Sequence, residues 1–521
     1  MTQVNRLSGG LIDRSATLNF SFDGKSYQGY AGDTLASALL ANGVRLMGRS
    51  FKYHRPRGVL TAGSEEPNAL VELRAGGRQE PNTRTTVAEI YDGLTANSQN
   101  RWPSLERDFM AINDRFSSFL SAGFYYKTFM WPKAFWEKLY EPIIRKAAGL
   151  GSLTGEADPD VYDKGFLHCD LLVIGAGPAG LAAALTAGRA GAQVIIADED
   201  FRLGGRLLSD TGALSDQSGV DWVEQAQAEL VSLPNVRVIP RTTVFGAYDH
   251  GVYGAVERNA DHLIAPAAGK PRQTLWRIYS RRALVATGAI ERPIAFENND
   301  RPGVMLAGAT RAYANRFATT PAQSVVIFAN NDDAHQTARD LIAKGAEVPA
   351  VVDIRPNVPC IDGTEVLAGA QIVDTKGRLG LTSVTVRLAN GQTRVIPCGA
   401  LAMSGGWNPN LGLTCHQRGR PVWNEDIHAF VPGQGSQGHP IQGSVHDFPP
   451  RYMLVVGTSM SAGRDAIQEE IWPCRPLPQV VAATERAMFP PRLLHGAGLK
   501  ADFTLSDEQR IRSCFQSIKL Y

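Results

Sequence analysis

At 521 residues the chain has room for roughly three domains, and 44 % apolar with 20 % charged residues is an ordinary globular balance. A net charge of +2 gives no basic surplus for nucleic acid, and no apolar run reaches the roughly 18 residues that cross a membrane. Six scattered cysteines without a CxxC pair argue against a zinc site, a redox dithiol or a disulfide framework. The opening MTQVNRLSGGLIDRS lacks the apolar core of a signal peptide, so a cytoplasmic location is expected.

Residues 1–98 read as a small separate domain. Leu18 to Phe22 and Ser26 to Tyr30 flank Asp23-Gly24, a hairpin signal, and Asp33 or Thr34 can cap a helix through Leu39 that ends at Asn42-Gly43. Hairpin, helix and strand suggest a β-grasp domain, the framework of plant-type ferredoxins, whose cluster cysteines are spaced C-x4-C-x2-C in the loop after the helix. That loop reads here as Val44 to Gly58, and no cysteine precedes Cys169, so no iron–sulfur cluster is expected. It carries Arg45, Arg49, Lys52, His54, Arg55 and Arg57, which either face an anionic group such as a flavin phosphate or an acidic partner, or form a solvated basic surface.

Residues 99–168 form an aromatic-rich bridge and linker. Ten aromatic residues lie between Phe116 and Tyr140, among them Phe124, Tyr125, Tyr126, Phe129, Trp131, Phe135 and Trp136. Such density suits a helical bridge packed on its own chain or an anchor surface for a partner protein.

The sequence CDLLVIGAGPAGLAAALTAGRAGAQVIIADED, Cys169 to Asp200, is the centre of the chain. An apolar run Leu171 to Ile174 predicts a strand buried on both faces, and Gly175, Gly177 and Gly180 follow it at Gly-x-Gly-x-x-Gly spacing. Gly175 permits a tight turn, Gly177 a close approach of backbone to a pyrophosphate, and Gly180 close packing of the helix on the sheet. A second strand, Val194 to Ala197, ends at Asp198, which is placed to accept the adenosine ribose hydroxyls. The acids Asp198, Glu199 and Asp200 disfavour a 2′-phosphate and so favour NAD or FAD over NADP, although Arg202 and Arg206 follow closely. Gly204-Gly205 is placed beneath the adenosine half of a cofactor. Thr242 to Gly246 is a strand end, and Ala286-Thr287-Gly288 closes a further strand, as in two-dinucleotide flavoprotein reductases.

A second αβ unit begins at Ser324, with a strand over Val325 to Ala329, a helix over Ala334 to Lys344 and a strand ending at Asp353. Its turn is Asn330-Asn331-Asp332-Asp333 where glycines would be needed, so it is expected to keep the fold without a nucleotide. The domain plan is therefore β-grasp over 1–98, bridge over 99–168, an NAD-binding Rossmann domain over 169–297 plus about 402–433, an inserted Rossmann-like domain over 298–401, and an uncertain tail over 434–521. The strand ending in MSGGWNP returns the chain from the inserted domain to the first.

The runs FKYHRPRGVLTAGSEEPNALVEL, SAGFYYKTFMWPKAFWEKLYEP, GAGPAGLAAAL with ADEDFRLGGRLL, ATGAIERP, NDRPGVMLAGA, NNDDA and MSGGWNP together resemble the α subunit of heterotetrameric sarcosine oxidase, over about Thr17 to Gly433. The resemblance implies one component of an oxidoreductase that acts on a CH–NH donor. The complex would oxidise sarcosine to glycine with formation of hydrogen peroxide. NAD would sit noncovalently in this chain, FAD in a flavin-containing β subunit where sarcosine is oxidised, and flavin mononucleotide (FMN) at the interface, with small γ and δ subunits completing a heterotetramer. By position Ala179, Asp198, Glu199, Val244 and Arg206 match the family's NAD contacts, beside Gly175, Gly177, Gly180, Gly205 and Gly288 of the fingerprint and its supporting turns.

Two departures from the family pattern are expected to matter. The chain stops at Tyr521, before the family's folate-binding domain, and the sequence from Gln434 does not follow the family pattern, as a change of reading frame would produce. Leu454 to Gly457 could mimic the family's returning strand. No acid–base or nucleophile constellation is evident, and His54, His168 and His439 read as isolated structural residues. Two other readings stay open: the α subunit of an opine or amino-acid dehydrogenase, and a noncatalytic NAD-binding scaffold.

Overall fold

The computed structural model describes residues 3–455 except 119, 121–122, 124–130, 133, 148, 150, 215–216, 417–418, 426–427, 433–441 and 444–450. The described chain divides into two compact units. One holds residues Met1–Asp160, Asp261–Ala265 and Arg292–Gly406, the other Val161–Ala260, Pro266–Glu291 and the chain from Trp407 onward. Phe124, Tyr125, Tyr126, Phe129 and His439 lie outside the described residues, as does nearly all of the 434–521 tail.

In the first unit, β1 (Asp13–Phe22) and β2 (Lys25–Ala31) form an antiparallel hairpin. Asp23 and Gly24 both take positive φ, 49° and 76°, the geometry that matches the twist of two-residue hairpins. Thr34 caps α1 (Leu35–Ala41) in a reciprocal capping box with Ser37, and every residue of this short helix is buried. With β3 (Leu70–Leu73), β4 (Glu80–Arg84) and β5 (Leu94–Ser98) the sheet runs β2-β1-β5-β3-β4, in which β1 and β5 are parallel. This is the expected β-grasp order.

The basic loop of this domain is largely spent inside the unit. Buried Arg49 donates to the carbonyls of Leu105 and His54, and buried His54 lies 2.6 Å from Asp108. Arg55 pairs with Asp114 and Arg57 with Asp300, at 2.6 and 2.7 Å, while Arg45 donates to the carbonyl of Gly399. The solvated basic surface is thus corrected: a guanidinium saturates several carbonyls at once, and these arginines staple segments of one unit.

In the second unit the strand expected at Leu171 starts earlier, as β6 (Tyr162–Ile174), and leads into α2 (Pro178–Arg189) and β7 (Val194–Ala197). Then follow α3 (Gly219–Ser232), β8 (Val236–Ile239), β9 (Thr242–Tyr248), β10 (Val252–Glu257) and β11 (Gln273–Val285). The sheet order is β8-β7-β6-β11-β10-β9. Along β6 and β7 alternate residues feed two cores. Leu171, Val173, Val194 and Ile196 pack with Leu181, Trp222 and Leu230 of the helices, whereas Leu172, Ile174 and Ile195 pack with Ile239, Ala255 and Ile278. Burial on both faces explains the uninterrupted apolar run. The strand Arg451–Val455 pairs in parallel with Ala283–Val285, overlapping the stretch expected to return the chain to this sheet.

The inserted part of the first unit is a parallel sheet. Its strands β12 (Val304–Leu306), β13 (Val325–Ala329), β14 (Ala350–Asp353), β15 (Glu365–Ala368) and β16 (Ala400–Ser404) run in the order β12-β16-β13-β14-β15, with α4 (Ala307–Asn315) and α5 (Asp332–Ala343) in its crossovers. It packs with the β-grasp domain in one unit through buried polar links, such as Arg6 with Asp33 at 2.7 Å and with the carbonyl of Phe317 at 2.8 Å. Among the described residues no helix is long and apolar enough to cross a membrane.

Candidate dinucleotide-binding site

The three fingerprint glycines occupy three different environments. Gly175 has φ +100°, and a Cβ there would lie 2.3 Å from the carbonyl oxygen of Ala286 at the end of β11. A Cβ on Gly180 would lie 1.8 Å from the carbonyl oxygen of Gly175, so α2 rests directly on the turn. A Cβ on Gly177 would meet nothing within 4 Å. Gly177 is also the N-cap of α2, which has Pro178 in its first turn and no side-chain cap. The helix therefore opens with bare backbone amides and its positive dipole end facing free space, the requirement for a pyrophosphate.

Further backbone frames this turn. The N–H of Gly204 donates to the carbonyl of Ala176 at 2.9 Å, and a Cβ on Gly205 would lie 3.1 Å from the Cα of Gly177, so the glycine pair packs against the fingerprint. Gly288, with φ +68°, turns the chain after β11, and its carbonyl accepts the N–H of Asn410 at 3.0 Å. The N–H of Ala286 donates to the carbonyl of Ile174 at 2.7 Å. The carboxyl edge of a parallel sheet is where open α/β folds bind their ligands.

The acids at the tip of β7 divide their work. Asp198, expected to offer its carboxylate to a ribose, receives the N–H of Ala176 on Oδ2 and that of Asp200 on Oδ1, the latter at 2.8 Å. Desolvation, reinforced by the neighbouring Asp200 charge, pushes its carboxyl up to about 7. The reason is local: the side chain of Asp198, just past the end of β7, turns inward over the glycine loop, while that of Glu199, the next residue, is exposed. Arg206 stacks its guanidinium 4.3 Å from the Trp407 ring centroid and lies 3.6 Å from Asp210. Val244, expected near a strand end, lies inside β9 beside a bulge and packs on the core of the opposite sheet face. Ala179 sits buried in the first turn of α2. The structure thus brings together Gly175, Gly177, Ala179, Gly180, Asp198 and Gly205, and ties the start of the Val244 strand to the same tip through the Thr242 N–H on the carbonyl of Asp198 at 2.7 Å. The Asp198 clasp and the Arg206–Trp407 stack are the features that sequence reasoning missed; MSGGWNP by itself signals only a returning chain.

The corresponding turn of the inserted domain is filled by its own side chains. Asn331 Oδ1 accepts the N–H groups of Asp333 and Ala334 and so caps α5, whose first turn carries Asp332 and Asp333. Asp353, at the tip of β14, is bound by His335 at 2.7 Å and by Arg355 at 2.8 Å, and Arg355 also pairs with Asp332. Burial opposes ionisation of Asp353, but these hydrogen bonds hold its carboxyl down at about 2. At this turn the Asp333 and Ala334 amides are taken by Asn331, and the strand-tip acid Asp353 is engaged by His335 and Arg355.

The fold and this cradle define a Rossmann-type core of the FAD/NAD-linked reductase plan, in one chain with a ferredoxin-like β-grasp domain. Residues 15–101 match the family described as 2Fe-2S iron-sulfur cluster binding domain, and residues 170–242 match FAD dependent oxidoreductase. The chain is homologous with the α subunits of sarcosine oxidase. It is 50 % identical to the sarcosine oxidase alpha subunit of Rhizobium meliloti (strain 1021) over 92 % of this chain and 49 % of that protein, and 38 % identical to that of Corynebacterium sp. (strain P-1) over 81 % and 40 %. The A component of opine oxidase from Agrobacterium tumefaciens (strain Ach5) is 29 % identical over 53 % of this chain and 60 % of that protein. The chain spans about half the length of the sarcosine oxidase proteins it matches. A match over 92 % of the chain must run well past Gly433, which weighs against a wholly shifted frame from Gln434. In fold it resembles L-proline dehydrogenase from P. horikoshii, with a TM-score of 0.58 at 17 % identity over 98 % of this chain and 79 % of that one.

Proposed function

We propose that this chain is the dinucleotide-holding α component of a cytoplasmic sarcosine oxidase-type complex. The complex would demethylate sarcosine oxidatively to glycine with formation of hydrogen peroxide. The observation that carries the reading is the open space at Gly177 before an uncapped helix, in a chain half identical to the α component of a sarcosine oxidase. The opine oxidase relatives are weaker over a shorter span, so an opine substrate is the second reading.

In this reading the dinucleotide is NAD. The amides at Gly177 and Ala179 would face its pyrophosphate, Glu199 would accept the ribose hydroxyls, and Asp198 would hold the glycine turn in shape. Bound NAD can accept a hydride; the residues of this chain bind and orient it and exclude a 2′-phosphate by charge. FAD would belong to a β subunit, FMN to the interface, with γ and δ subunits completing the complex. The test is co-expression with candidate β chains followed by an assay for sarcosine-dependent peroxide. Peroxide formation with sarcosine supports the reading. An assembled complex that oxidises opines and leaves sarcosine untouched replaces it with the second.

A further inference from the structure

Three residues fall at the spacing that plant-type ferredoxins use for cluster thiolates. Thr61, Glu66 and Ala69 reproduce C-x4-C-x2-C with every cysteine replaced, and they lie past Gly58, beyond the loop that distance from the helix indicates. In the structure the three converge. Glu66, 1 % exposed, accepts the N–H groups of Leu60 and Thr61 on Oε2, both at 2.8 Å, and those of Asn68 and Ala69 on Oε1 at 2.8 and 3.1 Å. The Thr61 hydroxyl adds a third donor to Oε2 at 3.2 Å. Buried Thr86 donates its hydroxyl to the carbonyl of Gly63 at 2.6 Å, so a fourth side chain faces the same loop from after β4.

Convergent backbone amides around a buried negative centre are also how iron–sulfur sites are built. Here a carboxylate takes that centre, and among the described residues it has no cationic partner. Such a group is tolerated in the interior because its oxygens are saturated with donors. The loop is pinned from outside as well, by the Tyr313 hydroxyl on the carbonyl of Thr61 at 3.0 Å and the Leu306 N–H on that of Leu60 at 2.9 Å. The residues present do not fit a cluster, since 15–101 contains no cysteine, although that stretch matches the family described as 2Fe-2S iron-sulfur cluster binding domain.

We propose that the Glu66 carboxylate is the resident anion of a cradle shaped for a [2Fe–2S] cluster, fixing the loop in place of metal and leaving this domain without an electron carrier. Two experiments on the full chain test it. In Glu66→Gln one amide pair, Leu60 with Thr61 or Asn68 with Ala69, meets an NH2 donor in place of an oxygen, so that pair should exchange its hydrogens about tenfold faster or more. Unchanged protection of all four amides overturns the proposal. In the second, Thr61→Cys, Glu66→Cys, Ala69→Cys and Thr86→Cys are combined and the chain is incubated anaerobically with ferric iron and sulfide. The expected product is a coloured protein with about two irons and two sulfides per chain, against none in the unmodified chain. A folded four-cysteine chain without iron, or equal loading of the unmodified chain, overturns it. Should the four-cysteine chain fail to fold, the amide exchange of Glu66→Gln decides alone.

Discussion

The carboxylate of Asp198 accepts the backbone N–H of Ala176, tying the tip of the second strand to the middle of the glycine turn that follows the first. One side chain thereby fixes the relative position of the two features that the dinucleotide fingerprint requires, and it does so from inside the fold.

Asp198→Asn keeps the shape but turns one oxygen into a donor, so either the Ala176 or the Asp200 N–H loses its acceptor. A stability loss of about 1–3 kcal/mol is expected, measured by denaturant unfolding. Dinucleotide retention should weaken with it through the shape of the turn, whereas Glu199→Gln should weaken retention with little change in stability. Equal losses of stability in both variants would refute this division of labour.

The same residue sets a pH dependence. Folding raises the Asp198 carboxyl from 3.8 to about 7, so the fold prefers its neutral form. The stability this contributes is complete below about pH 4 and is lost as pH rises through about 7, by a few kcal/mol at most. The thermal midpoint of the dinucleotide-free chain should therefore fall across that window, and in Asp198→Asn this component of the slope should disappear.

The glycines separate fold from binding. Gly180→Ala puts a methyl group 1.8 Å from the carbonyl oxygen of Gly175, an overlap only backbone movement relieves, and should cost about 1–3 kcal/mol in an unfolding titration. Gly177→Ala places its methyl group in open space at φ −70°. Its stability should stay within about 1 kcal/mol of the unmodified chain, while the methyl occupies the room a pyrophosphate needs.

In the inserted domain, His335→Ala removes a hydrogen bond to the fully buried Asp353 and should destabilise the chain by about 1–3 kcal/mol. Because Asp353 is held down at about 2, its contribution is present above about pH 4 and is lost as pH falls through about 2. Dinucleotide content should be unaffected. A change in that content would place a nucleotide at this second turn.

Much of this was legible in the residues. Leu171 to Ile174 declared a doubly buried strand, Asp23-Gly24 a hairpin and Thr34 a cap, because each depends on local chemistry alone. What sequence could not supply were choices made by tertiary packing. Whether Asp198 or Glu199 points outward is decided by the pleat at the strand tip and the proximity of Ala176, and the contacts of Arg49, Arg55 and Arg57 come from Leu105, Asp114 and Asp300, distant in sequence. Positions 61, 66 and 69 carry no cluster signal in the sequence because none of them is a cysteine; only their convergence on one carboxylate in the folded chain sets them apart.

The most direct measurement is the identity and amount of nucleotide released when the purified full chain and its Gly177→Ala variant are denatured. The account predicts close to one NAD per unmodified chain, no FAD, and a large loss from the variant at unchanged thermal stability. Release of FAD, or equal NAD from both proteins, would contradict it.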